Sequence, residues 1–397
     1  MRSADLELES ELERLMGVLA ESELESEAGW EAQDAPAAAA KRCTPVGTQV
    51  STSNFHCDPA SQIILRVFFG KTFPAAALRE AVNSAAARGV LLARSAADAL
   101  DKTKRTAATR IAFCSAFGVP PEFVPAWRAA LHGVKWTDLG ELVAIRLRQA
   151  ASILDGGCIR YYCWGGAQCP ACKVLSPLTD YTACSQGTYD VCLGYWFWND
   201  WKNLNLASND LTVLHECLHI YFKDIRDDFK DIITKASPTR PLGNAHCYIR
   251  FVACINRLPA SLAPSSRCSA GACEPTVLDS FRFDGAELRP HHAPLIDQIA
   301  YLVVASWDTS CPVKNVVLTG FTDSVEHTAG YNVKLGMNRA LSARDGIATR
   351  IRALDPTIAA NVKFGTFSLA SALPVGNNAT DAGRAQNRRV QVILQPS

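Results

Sequence analysis

The chain has 397 residues, with 40 Lys and Arg against 39 Asp and Glu, so its formal net charge is +1. Hydrophobic residues make up 48% and charged residues 20%. That is a globular composition with room for two or three domains. It offers no global charge field to recruit a nucleic-acid partner, and no apolar run reaches the ~18–20 residues of a transmembrane segment.

The first residues, MRSADLELESELERLM, are acidic. They lack the basic start and apolar block of an ordinary secretory signal. Fifteen cysteines point the other way. Most lie between Cys158 and Cys311, and such a load predicts disulfides formed outside the cytoplasm, in a secreted or cell-envelope protein. The odd count leaves at least one thiol free or paired with another chain, and Cys217 is the candidate for a buried free thiol. Acidic start and cysteine load together predict export by a signal-independent machine, or a trimmed start.

Residues 1–40 are acidic and low in complexity and read as a solvated leader. Residues 41–73 hold KRCTPVGTQVSTSNFHCDP and QIILRVFF, expected as an irregular connecting segment with one strand. From Pro74 the spacing turns helical, in FPAAALREAVNSAAARGVLLARSAADAL, EFVPAWRAALHGV and DLGELVAIRLRQAASIL. After Cys158 the texture changes to cysteine, glycine and aromatics, which predicts short strands and cross-linked loops. GYWFWNDW is expected as strand core there. The CPAC pair, Cys169 and Cys172, lacks a second CxxC, because Cys268 and Cys273 are spaced too widely; disulfides are favoured over a zinc ribbon. LTVLHECLHIYF follows as a helix, and NAHCYIRFVACINRL as another.

LPASLAPSSRCSAGACEPT marks a domain boundary, giving domains over 74–275 and 276–397. In the second, VLDSFRFD is a strand, LRPHHAPLIDQIAYLVVAS a helix and VKNVVLTGFTD a strand. YNVKLGMNRALSARDGIATRIRAL is a helix and RRVQVILQ a last strand. Alternating elements of this kind predict an α/β sandwich.

LTVLHECLHIYF carries the chemistry. His215 and His219 lie four residues apart, so on a helix they face one way, one turn apart. Two neutral imidazoles so placed can share a Zn²⁺ ion. Glu216, beside them, can take a proton from an attacking water without ligating the metal. Leu211, Val213, Leu214, Leu218, Ile220 and Tyr221 surround this polar trio, and burying it uncompensated is expensive. A third ligand is required; Asp224, Asp227, Asp228, Asp231 and His246 are the candidates downstream.

The stretch YYCWGGAQCPACKV, then YDVCLGYWFWND, LTVLHECLH and GNAHCYIRFV resembles the aspzincin metallopeptidases, the deuterolysins and peptidyl-lysine endopeptidases. The resemblance covers roughly residues 75–260. It implies His215 and His219 as zinc ligands, Glu216 as catalytic acid and base, and a loop aspartate that maps best onto Asp228, with Asp227 adjacent. Two features depart from the family. Its GT-x-x-D-x-x-Y-G loop is absent around IRDDF, and its NAD is NAH here, which puts His246 near the pocket as an alternative ligand.

LTGFTDSVEHTAGYNVKLGMNRALSARDGI and GRAQNRRVQVIL resemble the OmpA-like peptidoglycan-binding domain over about 277–397. By that resemblance Asp323 takes the amine of a diaminopimelate side chain, Arg339 its carboxylate, and Asn332 assists. A carboxylate and a guanidinium set a few ångströms apart suit a zwitterion. The loop SVEHTAG is one residue longer than the family's, with Glu326 at a glycine position.

These readings predict an α+β protein: a helix-rich zincin-type metallopeptidase domain followed by an OmpA-like α/β sandwich. The function expected is a zinc endopeptidase that cleaves a protein or peptide substrate and is anchored to peptidoglycan, in the envelope or surroundings of a Gram-negative-type bacterium. The alternatives are a degenerate peptidoglycan-binding protein, or a hydrolase of peptidoglycan stem peptides.

Overall fold

A computed structural model describes residues 55–124, 135–157, 159–163, 183–184, 189–222, 225, 241–259, 276–325 and 330–396. The N-terminal unit runs β1 (Phe55–His56), α1 (Pro59–Phe69), α2 (Ala75–Ala99), α3 (Ala107–Phe117), α4 (Leu139–Asp155), β2 (Arg160–Tyr162), β3 (Ala183–Cys184), β4 (Asp190–Leu193), α5 (Tyr195–Lys202), α6 (Leu206–Tyr221) and α7 (Ala245–Ile255).

Helix α2 is the hub. Leu78, Val82, Ala85, Ala86, Val90, Ala93 and Ala97 repeat at helical spacing and are buried, and α4, α6 and α7 all pack on them. Small residues let those helices approach closely. At Gly89 a Cβ would meet the Asp210 carbonyl oxygen of α6 at 3.1 Å and Leu154 Cδ1 of α4 at 3.3 Å, so the glycine sits where three helices crowd together. The flanking sheet has the order β1-β2-β4-β3, with β1, β2 and β4 parallel and β3 antiparallel. A Cys57–Cys163 disulfide joins the ends of β1 and β2, and Cys192 and Cys247 are also disulfide-bonded.

Two sequence expectations are corrected here. The connecting segment 41–73 holds one strand in its described part, β1, but is not otherwise irregular: QIILRVFF lies in α1. Asp58 caps that helix, Pro59 starts it and Gly70 ends it at φ +69°, while Leu65 and Phe69 enter the core. Start and stop signals outweighed the β-branched run. GYWFWNDW forms helix α5, with Phe197 and Trp198 buried; Trp198 Nε1 donates to the Cys163 carbonyl at 2.6 Å. The helix expected over EFVPAWRAALHGV, and Cys169, Cys172, Cys268 and Cys273, lie outside the described residues.

The C-terminal unit runs β5 (Thr276–Leu278), α8 (Ala293–Ser306), β6 (Val313–Phe321), α9 (Tyr331–Leu354), α10 (Pro356–Asn361), β7 (Lys363–Ala370), α11 (Asp381–Asn387) and β8 (Val390–Pro396). Its sheet has the order β5-β8-β6-β7, with only β6 and β7 parallel. Ile299 and Val303 of α8 and Ala343 and Ile347 of α9 pack with Val316, Leu318 and Val392 of the sheet in one core.

The two units are not independent beads. Ile111 and Cys114 of α3 belong to the C-terminal core, and a Cys254–Cys311 disulfide bonds α7 to the residues leading into β6. Cys114 and Cys217 are free, buried thiols among the described residues, as expected for Cys217. Burial pushes the Cys217 thiol well up, and the Glu216 charge adds to the shift, so it is an inert core residue. Among the described residues no helix is long and apolar enough to cross a membrane.

Candidate functional sites

Helix α6 holds His215, Glu216 and His219, and the first turn of α7 holds His246. Arg88 of α2 steadies α6: its Nε reaches the buried Asp210 carboxylate at 2.8 and 3.0 Å. Arg146 of α4 steadies the approach to α7, donating to the Leu242 carbonyl at 2.9 Å and to the Tyr248 hydroxyl at 2.8 Å. Asn244 caps α7 by accepting the His246 N–H at 2.9 Å. Sequence reading missed the Arg88 and Arg146 contacts, because partners 96 to 122 residues apart leave no local spacing to read.

The predicted histidine pair comes together. His215 Nε2 and His219 Nε2 lie 3.1 Å apart. His219 Nδ1 lies 3.0 Å from the Ile225 carbonyl; a carbonyl only accepts, so Nδ1 carries the proton and Nε2 a lone pair. Two nitrogens ligating one tetrahedral zinc at ~2.05 Å would stand about 3.3 Å apart. The pair therefore fits a shared metal ion; a hydrogen bond from His215 Nε2 to His219 Nε2 is the other state the same contact permits. Glu216 and His215 are buried.

The third donor is a different matter. The His246 ring lies 4.5 Å from the His215 ring, tilted by 45°, yet among the described residues no group of three or more His, Cys, Asp or Glu could hold a metal ion. His246 thus lines the site without completing a donor set. Asp227 and Asp228, like Asp224 and Asp231, lie outside the described residues.

The second site is at the C-terminal end of β6. Asp323 is buried there, and the cation that hydrogen-bonds to it is Arg388. Arg388 Nη1 pairs with Asp323 Oδ2 at 2.9 Å. Arg339 spends its guanidinium on three backbone carbonyls: Gly285 at 2.9 Å, Phe321 at 2.9 Å and Arg282 at 3.0 Å. Burial pulls its pKa down to about 10. The Arg339 residue is 0% exposed, whereas the Arg388 side chain is 15% exposed. The expected role of Arg339 as carboxylate fork is corrected: it ties α9 to the 282–285 turn and to β6, and Arg388 is the cation at the surface. The signal for Arg388 is its adjacency to β8, which pairs with β6 through Gly320 and Val390.

Asn332, in the first turn of α9, is buried at the same corner. Its Nδ2 donates to the Val325 carbonyl at 3.1 Å, while the Val325 N–H donates to Asp323 Oδ1 at 3.3 Å. Both side chains thus hold the backbone of one residue, Val325. Among the described residues Asn332 Oδ1 and Thr322 Oγ1 are buried oxygens with no hydrogen-bond partner. Glu326 lies outside the described residues.

No family model matches the chain. It is 32% identical over 115 residues to the peptidoglycan-binding protein ArfA of Mycobacterium tuberculosis, covering 29% of this chain and 31% of that protein. It is 31% identical over 114 residues to outer membrane protein A of Bordetella avium, covering 29% of this chain and 52% of that one. Among solved structures, the cell wall anchor of the T6SS from Pseudomonas aeruginosa matches at 26% identity and TM-score 0.23, over 30% of this chain and 80% of that one. The chain spans about a third to a half of the curated relatives it matches. The matched stretch is the size of the C-terminal unit, agrees with the resemblance its motifs carry, and does not bear on the histidine helix.

Proposed function

We propose that this chain is a cell-envelope protein that binds peptidoglycan at the Asp323–Arg388 corner of its C-terminal unit. The observation that carries this reading is the buried Asp323–Arg388 charge pair, with Asn332 Oδ1 and Thr322 Oγ1 nearby in the chain fold as buried oxygens that have no hydrogen-bond partner among the described residues. A buried acceptor without a donor costs about 1–3 kcal/mol, and a ligand amine relieves it. Asp323 and Asn332 then face the amine of a zwitterionic stem peptide, and Arg388 its carboxylate. The similarity to a mycobacterial peptidoglycan-binding protein supports the same ligand.

Pelleting of the full chain with purified sacculi tests it. Asp323→Asn and Arg388→Gln should each weaken binding ~10- to 100-fold, because a charge-assisted hydrogen bond contributes ~1.5–3 kcal/mol. Arg339 variants are unsuitable, since they lose structure. Equal pelleting of both variants and the parent sinks the reading.

A second reading concerns α6. The 3.1 Å approach of two Nε2 atoms, with His219 fixed by Ile225, favours a zinc peptidase site. His215 and His219 would hold the ion, and the third donor would come from the segment with Asp227 and Asp228. Zinc supplies Lewis acidity toward a peptide carbonyl. Glu216 would accept the proton of the attacking water and return it to the leaving amine. Metal analysis after dialysis should find close to one zinc per chain, lost in His219→Ala. Glu216→Gln should keep the zinc and lose casein or sacculus hydrolysis ~10²-fold or more. Unchanged zinc in His219→Ala, or unchanged hydrolysis in Glu216→Gln, rejects it.

A further inference from the structure

The segment between β5 and α8 supplies the carbonyls that hold both arginines of the C-terminal unit. Phe281 is clasped twice by Arg388: its N–H donates to the Arg388 carbonyl at 3.2 Å, and its carbonyl accepts Arg388 Nε at 2.8 Å. Arg282 and Gly285 hold Arg339. The position of Arg388 beside Asp323 therefore depends on where this segment lies.

The segment is fastened at its own end by one histidine. His292 is fully buried. Its Nε2 lies 2.6 Å from the Asp279 carbonyl and its Nδ1 accepts the Arg289 N–H at 3.1 Å. The ring thus closes 279–289 into a loop, together with Arg289 Nη1, which donates to the Ser280 carbonyl at 2.8 Å. The carbonyl requires a proton on Nε2 and the Arg289 N–H requires a lone pair on Nδ1, so only the neutral ring makes both bonds. The ring also packs on Phe281, with centroids 4.5 Å apart.

The charged groups that act on His292 are His291, Asp279 and Arg289. His291 Nε2 reaches the same Asp279 carbonyl at 3.1 Å. From α9, Arg339 lies on the far side of the Phe281 ring, 5.7 Å from its centroid. No carboxylate is among the hydrogen-bond partners that would welcome a charged ring.

We propose that His292 is a pH-sensitive fastener of the 279–289 segment, and that its protonation loosens Arg388 from Asp323 and weakens ligand binding at that corner. A proton on Nδ1 faces the Arg289 N–H, donor against donor, and the loop opens at that end. Burial already holds the ring below the ordinary histidine range. A depressed folded-state pKa means that the fastener is fully effective above about 6.5, the unfolded value, and is lost as pH falls through the folded value. The ligand effect rests on the peptidoglycan reading; the loosening of the loop does not.

The experiment uses the full chain. Hydrogen–deuterium exchange of 279–289 is measured without ligand at about pH 7.5 and about pH 5. Each rate is taken relative to His292→Gln at the same pH, which cancels the intrinsic pH dependence. The parent should lose protection ~10-fold or more at the lower pH, and His291→Gln should lose it equally. The His292 ring resonances of the parent, followed by NMR, should titrate with the same midpoint as the exchange, which keeps the test valid even where a variant folds poorly. Pelleting with sacculi should fall in parallel. Undiminished protection in the parent, a matching loss in folded His292→Gln, or a ring midpoint away from the exchange midpoint overturns the proposal. Absence of pelleting at about pH 7.5 overturns the ligand reading alone, because the exchange result is read without ligand.

Discussion

Adding one carbon at Gly320 should open the C-terminal unit. A Cβ there would lie 1.8 Å from the Gly336 carbonyl oxygen and 2.6 Å from its carbonyl carbon. The obstacle is helix backbone, which no rotamer change relieves. Ordinary contact begins near 3.4 Å, so α9 must move off β6 by about 1.6 Å. A gap of 0.5–1 Å already forfeits about a quarter to a half of a dispersion contact, so the packing of Leu318 against Ala340 and Ala343 is largely lost. The 2.9 Å bond from Arg339 to the Phe321 carbonyl crosses the same seam and stretches with it. Gly320→Ala should therefore cost ~3 kcal/mol or more, the upper end for overpacking. Gly336→Ala is the contrast. Its Cβ meets Ser368 Oγ, which can rotate, and the Gly320 carbonyl oxygen only at 3.0 Å. Because glycine inside a helix costs about 1 kcal/mol relative to alanine, Gly336→Ala with Ser368→Ala should be near neutral. Urea midpoints at constant slope report these differences. A Gly320→Ala protein within ~0.5 kcal/mol of the parent, below the scale of overpacking, or one less destabilised than Gly336→Ala, refutes the reasoning.

Ile111→Ala should destabilise the C-terminal unit by ~2–4 kcal/mol although it lies in the N-terminal chain, since it empties a place in that core; the exchange rates of β6 and β8 amides will show it. Replacing Cys254 and Cys311 together by serine opens a link spanning 57 residues, worth ~4 kcal/mol by loop entropy, and a shift in urea midpoint far below that scale argues that other contacts already confine the chain. Residues 276–397 produced alone should melt below the same unit in the full chain, because the excised piece lacks Ile111, Cys114 and the bond to Cys254; an equal midpoint contradicts the shared core.

Long periodic elements were legible. Alanine spacing gave α2 and the alternation of VKNVVLTGF gave β6, whereas the sharing of Ile111, Cys114 and Cys311 across the boundary near residue 275 left no mark in the spacing. Segments decided by local caps against their composition were misread: Asp58 and Gly70 make a helix of a strand-like run, and α5 packs its aromatics from a helix. Strand β7, KFGTFSLA, was missed because its glycine and serine break the pattern, and only pairing with β6 makes it a strand. At the sites, spacing found what spacing encodes. His215 and His219 meet because i and i+4 must meet. Arg388 escaped the sequence reading as a cation beside Asp323 because Arg339 and Arg388 both reach the end of β6, and only the carbonyls around each guanidinium separate the two.

The arrangement of the two sites along the chain has a mechanical consequence. Helix α7 begins beside His215 and ends in the disulfide to Cys311, and Ser310 Oγ also donates to the Ala253 carbonyl at 3.2 Å. Eight residues separate His246 from Cys254, about 12 Å of helix. β6 starts two residues beyond Cys311 and ends two residues before Asp323. A load on the Asp323 corner is therefore carried down one strand, across one covalent bond and along one helix to the wall of the histidine site. No flexible linker lies in that path. A tethering unit joined by a loose linker would leave a catalytic unit free to sweep a volume set by linker length. Here the histidine edge and the Asp323 corner are joined through a shared core and one disulfide, so on the peptidoglycan reading proposed above any chemistry at α6 would act on what lies near the point of attachment.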